Sequence, residues 1–121
     1  DEVERYTGIP YPFGKFDFVL VPAFQPGAME HAGNIAYKAE SLLLDETATQ
    51  EELLDRAHVI AHETVHMWFG NLTTMHWWND LWIKESFADF CSVTCMSETA
   101  SLKERYPDPE LLLLSFTVRA L

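Results

Sequence analysis

At 121 residues and 48% hydrophobic, with four tryptophans and eight phenylalanines, the chain has the size of one domain or part of one and ample material for a core. Its formal net charge of −11 argues against nucleic acid or an anionic membrane surface as a partner, because both would be repelled. No run is long and apolar enough to span a bilayer, and no signal-peptide pattern is found.

Residues 1–46 carry β and turn signals. Pro10, Pro12 and Gly14 punctuate the start. Residues 15–21 then alternate, with Phe16, Phe18 and Leu20 on one face, and Pro22, Pro26 and Gly27 end that strand. A second extended segment is expected over 34–37 and a third short strand over 41–44, giving a small sheet with antiparallel pairing at one edge. From Thr49 the period changes. Thr49 followed by Glu52 is a capping box, so a helix of about 20 residues, roughly 30 Å long, should begin there. Leu53, Ala57, Ile60, Ala61, Thr64 and Trp68 form its expected core stripe, and Gly70 its stop. Asn79 or Asp80 can cap a second helix running to about Glu98, and Pro107-Asp108-Pro109 a third. Cys91 and Cys95 lie one helical turn apart, which suits two reduced helix residues better than a redox or zinc-knuckle pair. The opening in mid-pattern and the closing apolar run over 111–116 suggest an excerpt of a larger domain.

The most informative stretch is His62-Glu63-Thr64-Val65-His66, with eighteen residues between it and Glu85. Residues four apart on a helix lie about 40° apart around its axis, so both imidazoles project from one stripe. Antiparallel packing of the next helix would bring Glu85 opposite the pair. Two nitrogens and one carboxylate leave a fourth position for water, which is the catalytic zinc arrangement rather than the structural one. Glu63 lies on the same half of the helix and could take a proton from that water. His58 and His62 share the same spacing, but Val59 follows His58 and cannot act as a base. His58 and His76 are therefore read as helix-surface or outer residues. Asp89, four residues after Glu85, could accept the second N–H of a ligating histidine, although a solvated helix carboxylate is an equal reading. The bland alternative for the whole set is ordinary helix-surface residues; the capped start and the downstream glutamate weigh against it. The same ligand type can also hold iron, and the helical spacing with Glu63 favours zinc.

Upstream stands Gly27-Ala28-Met29-Glu30. Together with His62-Glu63-Thr64-Val65-His66-Met67-Trp68-Phe69-Gly70-Asn71-Leu72 and Trp77-Trp78-Asn79-Asp80-Leu81-Trp82-Ile83-Lys84-Glu85-Ser86-Phe87-Ala88, it closely resembles the aminopeptidase N family of zinc metallopeptidases over residues 5–95. The resemblance implies an α+β, thermolysin-like catalytic domain, with residues 1–46 as its sheet portion and 47–121 as its helical portion. It implies one Zn2+ held by His62, His66 and Glu85, with Glu63 as general base. Gly27, Ala28, Met29 and Glu30 would form an edge strand for substrate, Glu30 holding the α-ammonium of a peptide with a free N-terminus and the Gly27–Ala28 backbone pairing with the peptide. Further domains of the full-length protein are implied as partners. Two positions depart from the family: His31 stands where Asn is usual, and Ser86 where Gly is common. The family's transition-state tyrosine lies beyond this sequence, and Tyr106 is too close to Glu85 to match it. Asn71-Leu72-Thr73 fits a glycosylation sequon but falls within a family motif and is read as structural.

The function expected is zinc-dependent aminopeptidase activity. A thermolysin-type endopeptidase shares the metal site, and a zinc-containing peptide-binding module without turnover would share the ligands. Epoxide hydrolysis, carried by a single relative, is a weaker alternative.

Overall fold

The computed structural model describes residues 2–105. In chain order these form α1 (Glu2–Thr7), β1 (Asp17–Val21), β2 (Ala28–Met29), β3 (Asn34–Lys38), α2 (Ala39–Leu42), α3 (Gln50–Val65), a 3-10 turn at Trp78–Asp80, α4 (Leu81–Glu98) and α5 (Ala100–Arg105). The sheet order is β1-β3-β2. β1 runs parallel to β3, with Val19 opposite Ala36, and β2 is antiparallel to it, with Ala28 opposite Tyr37. As the central strand, β3 buries Ile35, Ala36 and Tyr37 on both of its faces. This is the α+β arrangement expected, with antiparallel pairing at one edge.

α3 begins where the capping box places it. Thr49 Oγ1 accepts from the Glu52 backbone N–H at 3.2 Å, and the Glu52 carboxylate accepts from the Thr49 N–H at 2.8 Å. α4 packs antiparallel against α3: Leu54 clusters with Met96, His62 meets Asp89 and His66 faces Glu85. Beneath them, Val3, Ile35, Tyr37, Val65, Met67, Trp68, Ala88, Cys91 and Cys95 form the main core. Both cysteines are buried and unbridged.

Several local expectations need correction. Residues 41–44 are not a strand: the chain leaves β3 directly into the helical turn α2, and Leu43 is exposed. A run of three leucines has no period long enough to separate the two states. The β portion also contains α1, whose first-turn Glu2 and Glu4 and last-turn Arg5 match a helix dipole. Phe16, Phe18 and Leu20 are each about two-fifths exposed, although Phe18 meets Phe16 and Tyr37 edge to face at 5.4 and 4.8 Å and Tyr11 packs on Phe16 at 5.3 Å. β1 is an edge strand, so that face is only partly covered by described residues.

α3 is 16 residues long and ends at Val65, five before Gly70. Its buried residues are Leu54, Glu63 and Val65; of the expected stripe, Ala57 and Ala61 pack half-buried against the Leu54–Met96 cluster and Ile60 against the main core. The packing partner on that side is the sheet as well as α4. Asp80 caps α4 by position only, without a side-chain hydrogen bond, because the 3-10 turn delivers the chain there. The helix expected from Pro107 lies outside the described residues, as does Tyr106. Among the described residues, no helix is long and apolar enough to cross a membrane.

Candidate metal centre

His62 lies in the last turn of α3, and His66 caps that helix while still in right-handed helical conformation, with φ −58° and ψ −22°. The i, i+4 relation therefore survives the helix end. The two rings stand edge to face with centroids 4.6 Å apart, and their Nε2 atoms are 3.0 Å apart. Glu85, in the early part of α4, brings Oε2 to 3.6 Å from His62 Nε2 and 3.5 Å from His66 Nε2. A tetrahedral ion with bonds of about 2.0–2.1 Å needs donor separations of about 3.3–3.4 Å, and the three distances straddle that range.

The far side of each ring sets its tautomer. His62 Nδ1 faces Asp89 Oδ1 at 2.9 Å, and His66 Nδ1 faces the Phe69 carbonyl at 2.9 Å. A carboxylate and a carbonyl only accept, so each Nδ1 carries the proton. In a neutral ring Nε2 is then a bare lone pair, and two lone pairs this close repel unless a cation stands between them. The donor set thus fits a divalent ion: two imidazoles, one carboxylate and one open side. Burial lowers the His66 pKa and favours the neutral form; the Phe69 hydrogen bond opposes that, and the His62 ring adds to it. His58 shares Asp89, with Nε2 3.4 Å from Oδ1.

Glu63 is buried, and its Oε2 has no hydrogen-bond partner among the described residues. Ligand-type atoms of Glu30, Glu63 and His66 lie within 4.8 Å of one another, so Glu63 borders the centre. Burial pushes its carboxyl up to about 8, the Glu30 and Glu85 charges add to that, and Lys84 opposes them. A cation on the neighbouring ligands favours its ionised form.

Gly27, Ala28, Met29 and Glu30 line the outer edge of the sheet. The Lys38 N–H donates to the Gly27 carbonyl at 2.9 Å, and Asn71 Nδ2 donates to the Glu30 carbonyl at 2.6 Å. The Asn71 nitrogen that a glycan would occupy is therefore engaged in fastening the residue after β2 to the turn that follows α3. The Glu30 carboxylate is buried and ion-paired with Lys84. Burial alone would raise its pKa, but the Lys84 hydrogen bond, its own backbone N–H and the His66 and Lys84 charges hold it below the usual range.

Sequence reasoning missed three of these neighbours. Lys84 adjoins Glu85, yet its partner Glu30 lies far upstream. Asn71 carried only a sequon signal. Tyr37 is fully buried with a hydroxyl that has no hydrogen-bond partner among the described residues, and its pKa is raised by burial and then by the Glu63 charge. Nothing in a strand pattern marks such a hydroxyl.

Residues 1–117 match the Peptidase family M1 domain. The chain belongs to this family. It is 47% identical to human endoplasmic reticulum aminopeptidase 2 over 100 residues, which is 82% of this chain and 10% of that relative. Probable aminopeptidase 1 of Sulfurisphaera tokodaii is 42% identical over 110 residues, 91% of this chain and 13% of the relative. Leucyl aminopeptidase of Saccharolobus solfataricus is 43% identical over 95 residues, 78% and 12%. The chain thus spans 10–13% of the length of these curated relatives. The sheet, α3 and α4 are an α+β portion of the family's peptidase domain.

Proposed function

We propose that the chain carries the catalytic centre of a zinc-dependent aminopeptidase acting on peptides with a free N-terminus. The observation that supports this most is the convergence of His62, His66 and Glu85 with both Nδ1 protons tied off, beside a buried Glu63. The relatives named aminopeptidases agree with it.

When bound, zinc supplies a Lewis acid that makes water nucleophilic near neutral pH and polarises the scissile carbonyl. Asp89 and the Phe69 carbonyl hold the two imidazoles in the tautomer that ligates. Glu63 takes the proton from the attacking water and delivers it to the departing amine. Its burial keeps it basic enough for the first step and, once protonated, ready for the second. The Glu30 carboxylate receives the substrate's α-ammonium, and the backbone at Gly27 and Ala28, entering β2, pairs with the peptide backbone. Anchoring the terminus at Glu30 brings only the first peptide bond to the ligand set, so cleavage proceeds from the end. The transition-state tyrosine that the family resemblance implies belongs downstream of Glu85 in the full-length protein.

Glu63→Gln tests the assignment. It keeps the shape of the side chain and should retain zinc, while hydrolysis of an aminoacyl coumarin amide falls by about 10²-fold or more. Near-normal turnover in that variant refutes the role of Glu63. Cleavage of N-terminally blocked peptides would favour an endopeptidase. Zinc-dependent peptide binding without turnover in the unaltered full-length protein would favour a peptide clamp.

A further inference from the structure

Glu30 cannot move far. Its side chain is 9% exposed, and its carbonyl is held by Asn71 Nδ2 at 2.6 Å. Its carboxylate already has a cation, the Lys84 ammonium reaching across from α4. The path of that lysine is shaped for it. Gly70 lies against the stem with φ 135°, and a Cβ there would come within 3.1 Å of Lys84 Cε and 3.2 Å of Cγ. A side chain at position 70 would crowd that stem.

We propose that Lys84 is a displaceable stand-in for the substrate's α-ammonium, filling the Glu30 carboxylate in the free protein and withdrawing towards Glu85 when a peptide N-terminus arrives. The inference rests on the reading of Glu30 as the amine anchor. The two partners are unequal: Glu30 is short, buried and fastened, whereas Lys84 has a long stem and is one-quarter exposed. Retreat does not leave the ammonium alone, because Glu85 Oε1 is 3.6 Å away, on the oxygen opposite to the one facing the histidines. The exchange swaps one three-donor ammonium for another, so the buried carboxylate is never left without a cation. A ligand lacking the amine cannot make that swap. Lys84 is thus a positioning residue that sharpens selection for a free terminus.

The test compares leucine hydroxamate with 4-methylpentanohydroxamate, the same molecule without its amine, on the zinc-loaded protein at its natural length. In Lys84→Met, calorimetry should show the amine-bearing probe binding about 5- to 30-fold tighter, since it no longer competes with a partly exposed ion pair, while the des-amino probe changes less than about twofold. KM for an aminoacyl coumarin amide should fall in step with kcat little changed. Zinc content measured alongside reports that the fold is intact. A second measurement needs no substitution: leucine hydroxamate should increase acetylation of Lys84 by an N-hydroxysuccinimide ester, read by mass spectrometry, and the des-amino probe should not. If Lys84→Met weakens both probes alike, or Lys84 acetylation ignores the amine, the lysine is a fixed support and the proposal is overturned. If the unaltered protein binds both probes equally, Glu30 is not the amine anchor, and the stand-in falls with that reading.

Discussion

Replacing Asp89 by alanine removes the oxygen that holds the His62 ring, whose Nδ1 is 2.9 Å away. Loss of such an outer acceptor costs about 10–100-fold in metal affinity, because the ring becomes free to turn and loses basicity at its ligating nitrogen. Two features place Asp89 near the lower end. Its side chain is 55% exposed, so water can take over part of the hydrogen bond and the charge is screened. His66, moreover, keeps its own acceptor at Phe69. Zinc binding about tenfold weaker, or ~1.4 kcal/mol, is therefore expected. Asp89→Asn keeps an acceptor oxygen and should lose only about two- to threefold. Titration of metal-stripped protein against a competing fluorescent chelator measures both. His58→Gln is the control, since His58 shares Asp89 at 3.4 Å yet lies outside the ligand set, and its zinc affinity should not change. Asp89→Ala binding zinc within twofold of the unaltered protein would refute the reasoning. So would His58→Gln proving equally costly.

Gly70→Ala should lower stability by about 1–3 kcal/mol in urea and weaken zinc binding, because φ 135° suits only glycine and a Cβ would meet His66 Nδ1 at 3.1 Å; an unchanged midpoint would contradict this. The cysteines give a pH prediction. Burial pushes the Cys95 thiol up to about 11, with Cys91 and Glu2 adding, and burial raises Cys91 against an opposing hydrogen bond from Tyr6. The thiolate is the reactive form, so both should react slowly with Ellman's reagent at pH 8, faster as pH rises towards 11, and at once in guanidinium. Rapid reaction of either native thiol at pH 8 would count against the burial described.

The parts of the candidate site legible in the sequence are those set by helical spacing. His62, Glu63 and His66 follow from one turn, Asp89 from the turn after Glu85, and the start of α3 from the Thr49 and Glu52 side chains. The signals on α3 are local, whereas Glu85 and Asp89 reach the histidines only through antiparallel packing of the next helix. Lys84 and Glu30 illustrate the opposite case: both residues are visible, but their meeting depends on how α4 lies against the edge of the sheet. On α3, Ala57, Ile60 and Ala61 pack as their spacing requires, but Glu63 occupies a buried position that a hydrophobic pattern leaves polar. Residues 41–44 failed for a different reason, since three adjacent leucines suit a strand and a helical turn equally. Phe16 and Phe18 do share a face, as their alternation required, but alternation cannot say what covers that face.

The central claim is that two imidazoles and one carboxylate on neighbouring helices hold a single zinc ion. X-ray absorption at the zinc edge, with elemental analysis on the same sample, tests it most directly. One zinc per chain should be surrounded only by nitrogen and oxygen at about 2.0–2.2 Å, and the ion should be lost in His66→Ala and in Glu85→Ala. A sulfur shell near about 2.3 Å, or full zinc retention in both variants, would contradict the account.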